Sequence, residues 1–187
     1  MRHRLIFLVM IAVLFPAMCF AEGTSPQKPA VAVLVGFTRQ FQDADMQSYI
    51  FDQFKHNINQ DNYVLALGES IQNKARFPLT AFPATGSLIA FGRENGYDFV
   101  IYVFLEVTNY KPDAGLTKTS VKQDIRVDGQ FIDIVNEKRL LYKSVNSGGT
   151  DITSHILFFG EMPDDQKALK IAISRSVADL MKDNPIK

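Results

Sequence analysis

The chain has 187 residues, 47% of them hydrophobic, with 20 basic and 20 acidic side chains. This length suits one domain with a sizeable core. The even charge balance, with no basic cluster beyond the first few positions, argues against a nucleic-acid-binding surface.

The first 21 residues have the pattern of a cleaved secretory signal. A positive stretch, Arg2–Arg4, precedes the apolar run Leu5–Ala17, and small residues at Cys19 and Ala21 suit a signal peptidase that cuts after Ala21. An uncleaved anchor helix is the alternative, but the apolar run is shorter than the ~20 residues that span a bilayer. We therefore predict a periplasmic or secreted protein with no transmembrane span in its mature form.

Cys19 allows a second kind of processing, in which it becomes a lipidated first residue. The preceding Pro16, Ala17 and Met18 fit that signal poorly, so a lipid anchor at Cys19 is the lesser alternative. After a cut behind Ala21, 18 basic residues remain against 20 acidic ones, a net charge of −2, and no cysteine is left. Such a chain forms no disulfide and depends on its core for stability.

The mature chain begins with alternating strands and helices. The strand Val31–Phe37 is apolar on both faces, as expected inside a sheet. A helix over about 44–59 follows, with Asp43 or Asp45 as its N-cap, and then a short strand over 63–67. The apolar stripe of this helix recurs at helical spacing and consists of Met46, Tyr49, Ile50, Phe54 and Ile58.

The next stretch mixes loop and helix signals. Residues 69–74 either extend the preceding strand or form a turn, and two prolines make 76–83 an extended loop. A second helix is predicted over about 84–95, with Gly96 in the left-handed conformation that closes it.

Three successive strands are predicted in the second half. The predicted order is a strand over 96–107, a turn over 109–118, a strand over 119–135, a turn over 136–138, a strand over 139–145 and a loop from Asn146. The first of these strands is apolar on both faces and therefore central. Within the second, the apolar positions change from one alternating set to the other beside Gly129, which predicts a β-bulge over 129–131.

A last helix begins near Met162–Asp165, where a proline and two acids suit the positive end of the helix dipole, and Asn184–Pro185 ends it. Its predicted buried stripe consists of Leu169, Ala172, Ile173, Val177, Leu180 and Met181. The element order β-α-β-α-β-β-β-α predicts an α+β fold, a five-stranded mixed sheet packed by three helices in two or three layers. We predict a flexible linker over 22–30 and a single globular domain over 31–187.

Three motifs resemble a known family. They are Val31–Leu34 in the first strand, Gly96–Val100 entering the central strand, and the hairpin Ile132–Tyr142, in which Asp133 precedes a short turn and a returning Leu-Leu-Tyr. This arrangement resembles the superfamily that holds the N-terminal domain of TolB, the periplasmic domain of the curli secretion protein and the lipoprotein activators of penicillin-binding proteins. The resemblance implies a module that binds other envelope proteins and has no catalytic residues.

The residues themselves offer no catalytic constellation. His56 and His155 lack a second ligand at metal spacing, and the sequence has no serine elbow or phosphate loop. The acid pairs Asp43/Asp45 and Asp164/Asp165 suit helix capping better than acid–base chemistry. Asp98 and Asp133 are interpreted in the same way, as acceptors for backbone amides. We predict no cofactor and no metal.

Apolar side chains in two loops are the candidate binding residues. They are Phe77, Leu79 and Phe82 in the first loop and Ile156, Leu157, Phe158 and Phe159 in the second. Exposed apolar groups in loops mark binding sites, although these residues can also fold back over the ends of the sheet. The leading hypothesis is an exported, non-enzymatic cell-envelope protein that binds a protein partner. A small-molecule or lipid-binding module is the alternative, and a carboxylate-dependent hydrolase is the least favoured.

Overall fold

A computed structural model of the chain describes residues 28–79, 82–115, 118–154 and 162–186. The signal segment, most of the predicted linker, His155 and the loop residues Ile156, Leu157, Phe158 and Phe159 lie outside the described residues. The proposed cut after Ala21 and the domain limits stay predictions.

The described residues form a five-stranded mixed sheet in the order β2-β1-β3-β4-β5. Its strands are β1 Ala30–Phe37, β2 Val64–Ala66, β3 Phe99–Ala114, β4 Lys118–Asp133 and β5 Lys138–Ser154. The helices are α1 Ala44–Asn57, α2 Glu69–Gln72, α3 Thr85–Asn95 and α4 Asp165–Lys182, with a 3-10 turn at Arg39–Phe41. β1 runs parallel to β2 and β3, while β3, β4 and β5 form an antiparallel meander. The predicted mixed sheet and α+β class are confirmed.

Each face of the sheet carries its own core. On the larger side α1 and α4 pack against alternate residues of the strands, and every residue of the predicted α4 stripe is buried. On the other side α2 and α3 cover a smaller core that includes Leu34, Val100 and Tyr102. Because β1 and β3 are covered on both faces, they are apolar at every position in this region, as the sequence predicts.

The described residues contain one helix more than predicted. Residues 69–74, expected to extend a strand or form a turn, contain the single helical turn α2. Gly68 precedes it at φ 101°, a conformation that favours glycine, and Ile71 is buried against the smaller core. One buried side chain in a four-residue helix leaves no periodic signal in the sequence.

The β3–β4–β5 meander is longer than predicted. The expected turn over 109–118 is mostly strand, since β3 continues to Ala114 and pairs with β4 throughout. β1 stops pairing with β3 at Leu105, so β3 is an edge strand at Pro112. On the side that β1 has left, no strand lies alongside, and the N–H that proline lacks removes no hydrogen bond there. Similarly, the predicted loop from Asn146 is wrong, because β5 continues to Ser154.

The predicted bulge in β4 is also wrong. β4 pairs with β3 without interruption from Ile125 to Asp133, and the irregularity opposite Phe131 and Ile132 places the extra residue, Leu140, in β5. The apolar set changes because Phe131 faces the larger core and Ile132 the smaller one. Coverage of both faces, and not a bulge, explains the pattern.

Three carboxylates fix segments of backbone that begin or join elements of the sheet. Asp98 accepts a hydrogen bond from the Ala30 amide at 2.7 Å, and Asp133 accepts two from Asn136 inside its own turn. Both acids act on backbone amides, as the sequence predicts. Asp151 of β5 accepts from the Asp164 amide at 2.9 Å and pairs with Lys167 Nζ at 2.7 Å, which joins the end of β5 to the start of α4.

Stability is expected to depend on Asp151 in a pH-dependent way. The bond and charge of Lys167, with the Asp164 amide, hold the pKa of Asp151 below its usual value. Because the pKa of Asp151 is lower in the folded chain than its ordinary value of ~3.9 in the unfolded chain, the ionised carboxylate stabilises the fold at every pH above ~3.9. This stabilisation is lost as the pH falls through the folded-state pKa. Asp151→Asn should lower the urea midpoint at pH 7, and the difference from the unsubstituted chain should shrink below about pH 4.

The exposed Asp113→Asn, at the tip of β3, is the matched control and should leave the midpoint unchanged at both pH values. A midpoint for Asp151→Asn that equals that of the unsubstituted chain at pH 7 would contradict the assigned contact.

Candidate partner-binding surface

The second face of the sheet is only partly covered in the described residues. α3 and the segment before it lie over β1 and the first half of β3, whereas the outer parts of β3, β4 and β5 face solvent on this side. We call this region the open face. The pairing register assigns to it Glu106, Asn109, Lys122, Asp124, Arg126, Asp128, Tyr142, Ser144, Asn146, Thr150 and Ile152.

Charged side chains of opposite sign alternate across the open face. Arg126 bridges Glu106 at 2.7 Å and Asp128 at 3.1 Å. Asp124 accepts from Asn109 and pairs with Lys122, and these contacts, the Asn109 bond first, lower the pKa of Asp124. Exposed ion pairs contribute little to stability. Because acidic and basic side chains are interspersed, the open face presents no field of a single sign.

An aromatic patch, formed by Phe82, Tyr142 and Arg139, lies at one end of the open face. The Phe82 ring meets Tyr142 edge-on, with centroids 5.5 Å apart, and meets the buried Tyr102 at the same distance. The Arg139 guanidinium lies 5.8 Å from the centre of the Tyr142 ring, within cation–π range. Phe82 is 39% exposed and Tyr142 51%, so the patch is apolar surface in contact with water.

Two hydrogen bonds hold the loop that carries Phe82. The buried Tyr102 hydroxyl donates to the Leu79 carbonyl at 3.1 Å, and Gln130 Nε2 donates to the Pro83 carbonyl at 3.1 Å. Burial raises the pKa of Tyr102, so its hydroxyl stays protonated and able to donate. Gly36 makes room for this contact, because a Cβ there would collide with the Leu79 carbonyl oxygen and the Tyr102 hydroxyl.

The three described candidate residues have different surroundings. Phe77 is half-buried and meets Phe91 edge-on, with centroids 6.2 Å apart, and Leu79 is half-buried beside the smaller core. Only Phe82 among these three is exposed. The sequence reasoning missed Tyr142 and Arg139, which it assigned only to a strand. Tyr142 comes near Phe82 because it pairs with Gln130, whose side chain bonds the Pro83 carbonyl. Finding it from the sequence would have required the register of the β4–β5 hairpin.

The acid pairs are engaged with helix ends. Asp43 Oδ1 accepts from the Asp45 amide at 2.8 Å, and Asp164 Oδ1 accepts from the Gln166 amide at 2.8 Å, so each caps its helix. His56 is exposed. Within the described ranges, no group of three His, Cys, Asp or Glu side chains is placed to hold a metal ion. None of the helices described is long and apolar enough to cross a membrane.

Phe77 also borders a shallow depression of about 200 Å³ beside α3. Lys74, Arg76, Ser87 and Glu94 contribute its polar wall. The depression is open to solvent, and Arg76 lies 3.7 Å from Glu94 across it with both side chains largely exposed. A small-molecule pocket normally encloses most of its ligand, which this depression does not do.

Comparison with known proteins gives similarity only to solved structures. No protein-family model matches the chain, and no curated protein matches it. The hypothetical protein CT253 from Chlamydia trachomatis is similar at TM-score 0.46 and 12% identity, over 83% of this chain and 94% of that one. Lipoprotein GNA1162 from Neisseria meningitidis is similar at TM-score 0.41 and 13% identity, over 82% and 99%.

Solved structures of two of the three kinds that the sequence motifs resemble are also among those found. TolB from Acinetobacter baumannii is similar at TM-score 0.39 and 12% identity, over 82% of this chain and 28% of that one. The LpoB C-terminal domain from Escherichia coli is similar at TM-score 0.35 and 10% identity, over 74% and 92%. The predicted resemblance is thereby confirmed.

Proposed function

We propose that the protein is an exported, non-enzymatic cell-envelope module that binds a protein partner through the aromatic patch. The exposed ring of Phe82, fixed against Tyr102 and Tyr142, is the observation that carries the proposal. Tyr and Arg are the residue types that dominate binding energy in protein interfaces, and here they surround an exposed phenylalanine.

The fixed position of the patch supports this reading. A ring held by two edge-on contacts, on a loop bonded to the sheet at Leu79 and Pro83, loses little conformational freedom when a partner covers it. The adjoining open face adds paired charges and hydroxyls of the kind found at an interface rim. Asp43 and Asp164 each cap a helix through one carboxylate oxygen, which supports a structural role for these acids.

The signal pattern of residues 1–21 supports export to the envelope. Processing at Cys19 would instead attach the same domain to a membrane, with the aromatic patch still available. Mass spectrometry of the first mature residue distinguishes a free chain that begins at Glu22 from a lipidated one that begins at Cys19.

Loss of the Phe82 ring is expected to weaken partner binding by about tenfold or more, the effect of truncating a central aromatic residue in an interface. The partner is identified by crosslinking in intact cells, followed by mass spectrometry of the purified complex. Its affinity is then measured by calorimetry for the unsubstituted protein and for Phe82→Ala.

Val64→Ala is the matched control, because Val64 is another exposed apolar residue and lies at the opposite edge of the sheet on β2. It should leave the affinity unchanged. Equal affinities for Phe82→Ala and the unsubstituted protein, with both folded, would refute the aromatic patch as the binding surface.

A further inference from the structure

β5 is a long edge strand whose outer side is unpaired in the described residues. Its 17 residues pair with β4 on one side only. Arg175 Nη1 donates to the Gly148 carbonyl at 2.9 Å, which places that carbonyl on the side away from β4. In an antiparallel strand, alternate residues direct both N–H and C=O to the same side. The even-numbered residues from Tyr142 to Ile152 therefore present a row of backbone donors and acceptors outward.

The other free edges of the sheet carry features that prevent pairing along their length, whereas on β5 the Arg175 bond covers one outward carbonyl, that of Gly148. β2 has only three residues. Beyond Leu105, the free edge of β3 is interrupted by a register shift at Thr108 and by Pro112. From Leu141 to Ser154, β5 pairs regularly with β4 and contains no proline. Proteins normally blunt an edge of this length, and an edge that is not blunted is a template for another strand.

The sequence of β5 is complementary to itself in one antiparallel register. A two-fold axis through Ser147 places Tyr142 of one copy opposite Ile152 of the other, on the open face. These side chains are 51% and 60% exposed, and pairing buries apolar surface on both. The same axis places Ser144 opposite Thr150, a hydroxyl pair that also suits directly opposed positions.

Charge agrees with this register on the opposite face. Lys143 and Asp151, which lie on the α4 side of β5, are placed opposite each other between the copies. Each already pairs within its own chain, with Asp183 and Lys167, so the register brings opposite charges near each other and needs no new ion pair. Shifting the register by two residues places Tyr142 opposite Thr150 or Ser154 and loses the apolar pair. The axis at Ser147 is thus the register that pairs apolar with apolar, hydroxyl with hydroxyl and basic with acidic side chains.

We propose that two copies of this chain associate by antiparallel pairing of β5 about a two-fold axis at Ser147, which forms a continuous ten-stranded sheet. Such an interface is isologous, with the same strand contributed by both copies. The outward backbone groups of Tyr142 and Ser144 bond those of Ile152 and Thr150 of the second copy. Asn146 pairs with Gly148 where Arg175 gives up its bond to the Gly148 carbonyl. Phe82 lies over β4 and not on this edge, so its ring stays accessible for a different protein partner, while the pairing covers part of the Tyr142 side chain.

Cysteine crosslinking tests the register directly. In the proposed pairing, positions 144 and 150 of opposite copies are hydrogen-bonded neighbours with Cα atoms about 5.5 Å apart, which is within disulfide range. Within one chain these positions are six residues apart, about 20 Å along the strand, and cannot bridge. The variant carrying both Ser144→Cys and Thr150→Cys should form a covalent dimer under mild oxidation.

The single variants are the controls, since each cysteine then lies about 20 Å from its own counterpart in the second copy. Each alone should stay at monomer mass on a non-reducing gel, and an equimolar mixture of the two should give a singly bridged dimer. Equal crosslinking of single and double variants, or none in the double variant, would overturn the proposed register.

Sedimentation of the unsubstituted protein provides a test that needs no variant. A mass twice that of the processed chain, at micromolar concentration, is expected, and a monomer at 100 μM would overturn the proposal. The outcome is separate from the proposed function: a monomer that still binds its partner through Phe82 refutes only the association of copies.

Discussion

Replacing Gly149 with alanine is expected to lower the free energy of unfolding by about 3 kcal/mol, the upper part of the range for steric overpacking in a core. Gly149 lies in β5 beneath α4, and a Cβ there would collide with the Ala168 carbonyl oxygen and approach the Ala172 amide at 2.7 Å. Both obstacles are helix backbone, which cannot move aside as a side chain does. The helix would have to rise from the sheet and lose part of its buried stripe.

Urea denaturation measures this effect, and the neighbouring Gly148 gives the matched control. A Cβ at Gly148 would meet the side-chain oxygen of Asp124, which is the mobile end of a partly exposed residue. Gly148→Ala should therefore cost about 1 kcal/mol or less. Similar losses for the two alanine variants would contradict the close packing of α4 on β5.

Replacing Gly36 with alanine is expected to release the loop that carries Phe82 and to lower the free energy of unfolding by about 2 kcal/mol or more. The new Cβ would occupy the space of the Leu79 carbonyl, which accepts the hydrogen bond from Tyr102. Once that bond is broken, two buried polar groups lose their contact with each other. The loop should then open more often than in the unsubstituted protein.

Limited trypsin digestion measures how often this loop opens, because trypsin cleaves after lysine and arginine, and Lys74 and Arg76 lie just before the loop. Gly36→Ala should be cut there several-fold faster, and its affinity for the partner should fall as it does for Phe82→Ala. Gly86→Ala is the control: a Cβ at Gly86 meets nothing within 4 Å, and alanine inside a helix is favoured by roughly 0.5–1 kcal/mol. Unchanged cleavage of Gly36→Ala would show that Gly36 does not position the loop.

Local patterns were sufficient to predict most elements. The apolar stripe of α4 is buried as expected, because burial of one helix face imposes a fixed period on the sequence. The strands β1 and β3 are buried on both faces, which the sequence shows as continuous apolar runs. Gly96 closes α3 at φ 72°, and Asp43 caps α1, because helix ends need these specific residue types.

The errors arose where tertiary contacts decide the local structure. Gly148-Gly149 has the composition of a turn, yet Gly149 is required in a strand by the approach of α4. Pro112 has the composition of a turn as well, yet it fits β3 because β1 has already ended. Both cases depend on which strand or helix lies alongside, and one segment of sequence does not contain that information.

The candidate surface was predicted only in part. An apolar loop residue can cover a core or face solvent, and the sequence does not distinguish Phe77, which packs on Phe91, from Phe82, which is exposed. Tyr142 and Arg139 join Phe82 only through the register of the β4–β5 hairpin and the two bonds that hold the loop.

Site-specific photocrosslinking in intact cells tests the central claim most directly. A photoreactive side chain is placed at position 82, and in a second variant at Lys55, which is exposed on α1 over the opposite face of the sheet. Position 82 is expected to capture one envelope protein that position 55 does not capture. The same products from both positions, or no product from position 82 above that from an unrelated exported protein, would contradict the account.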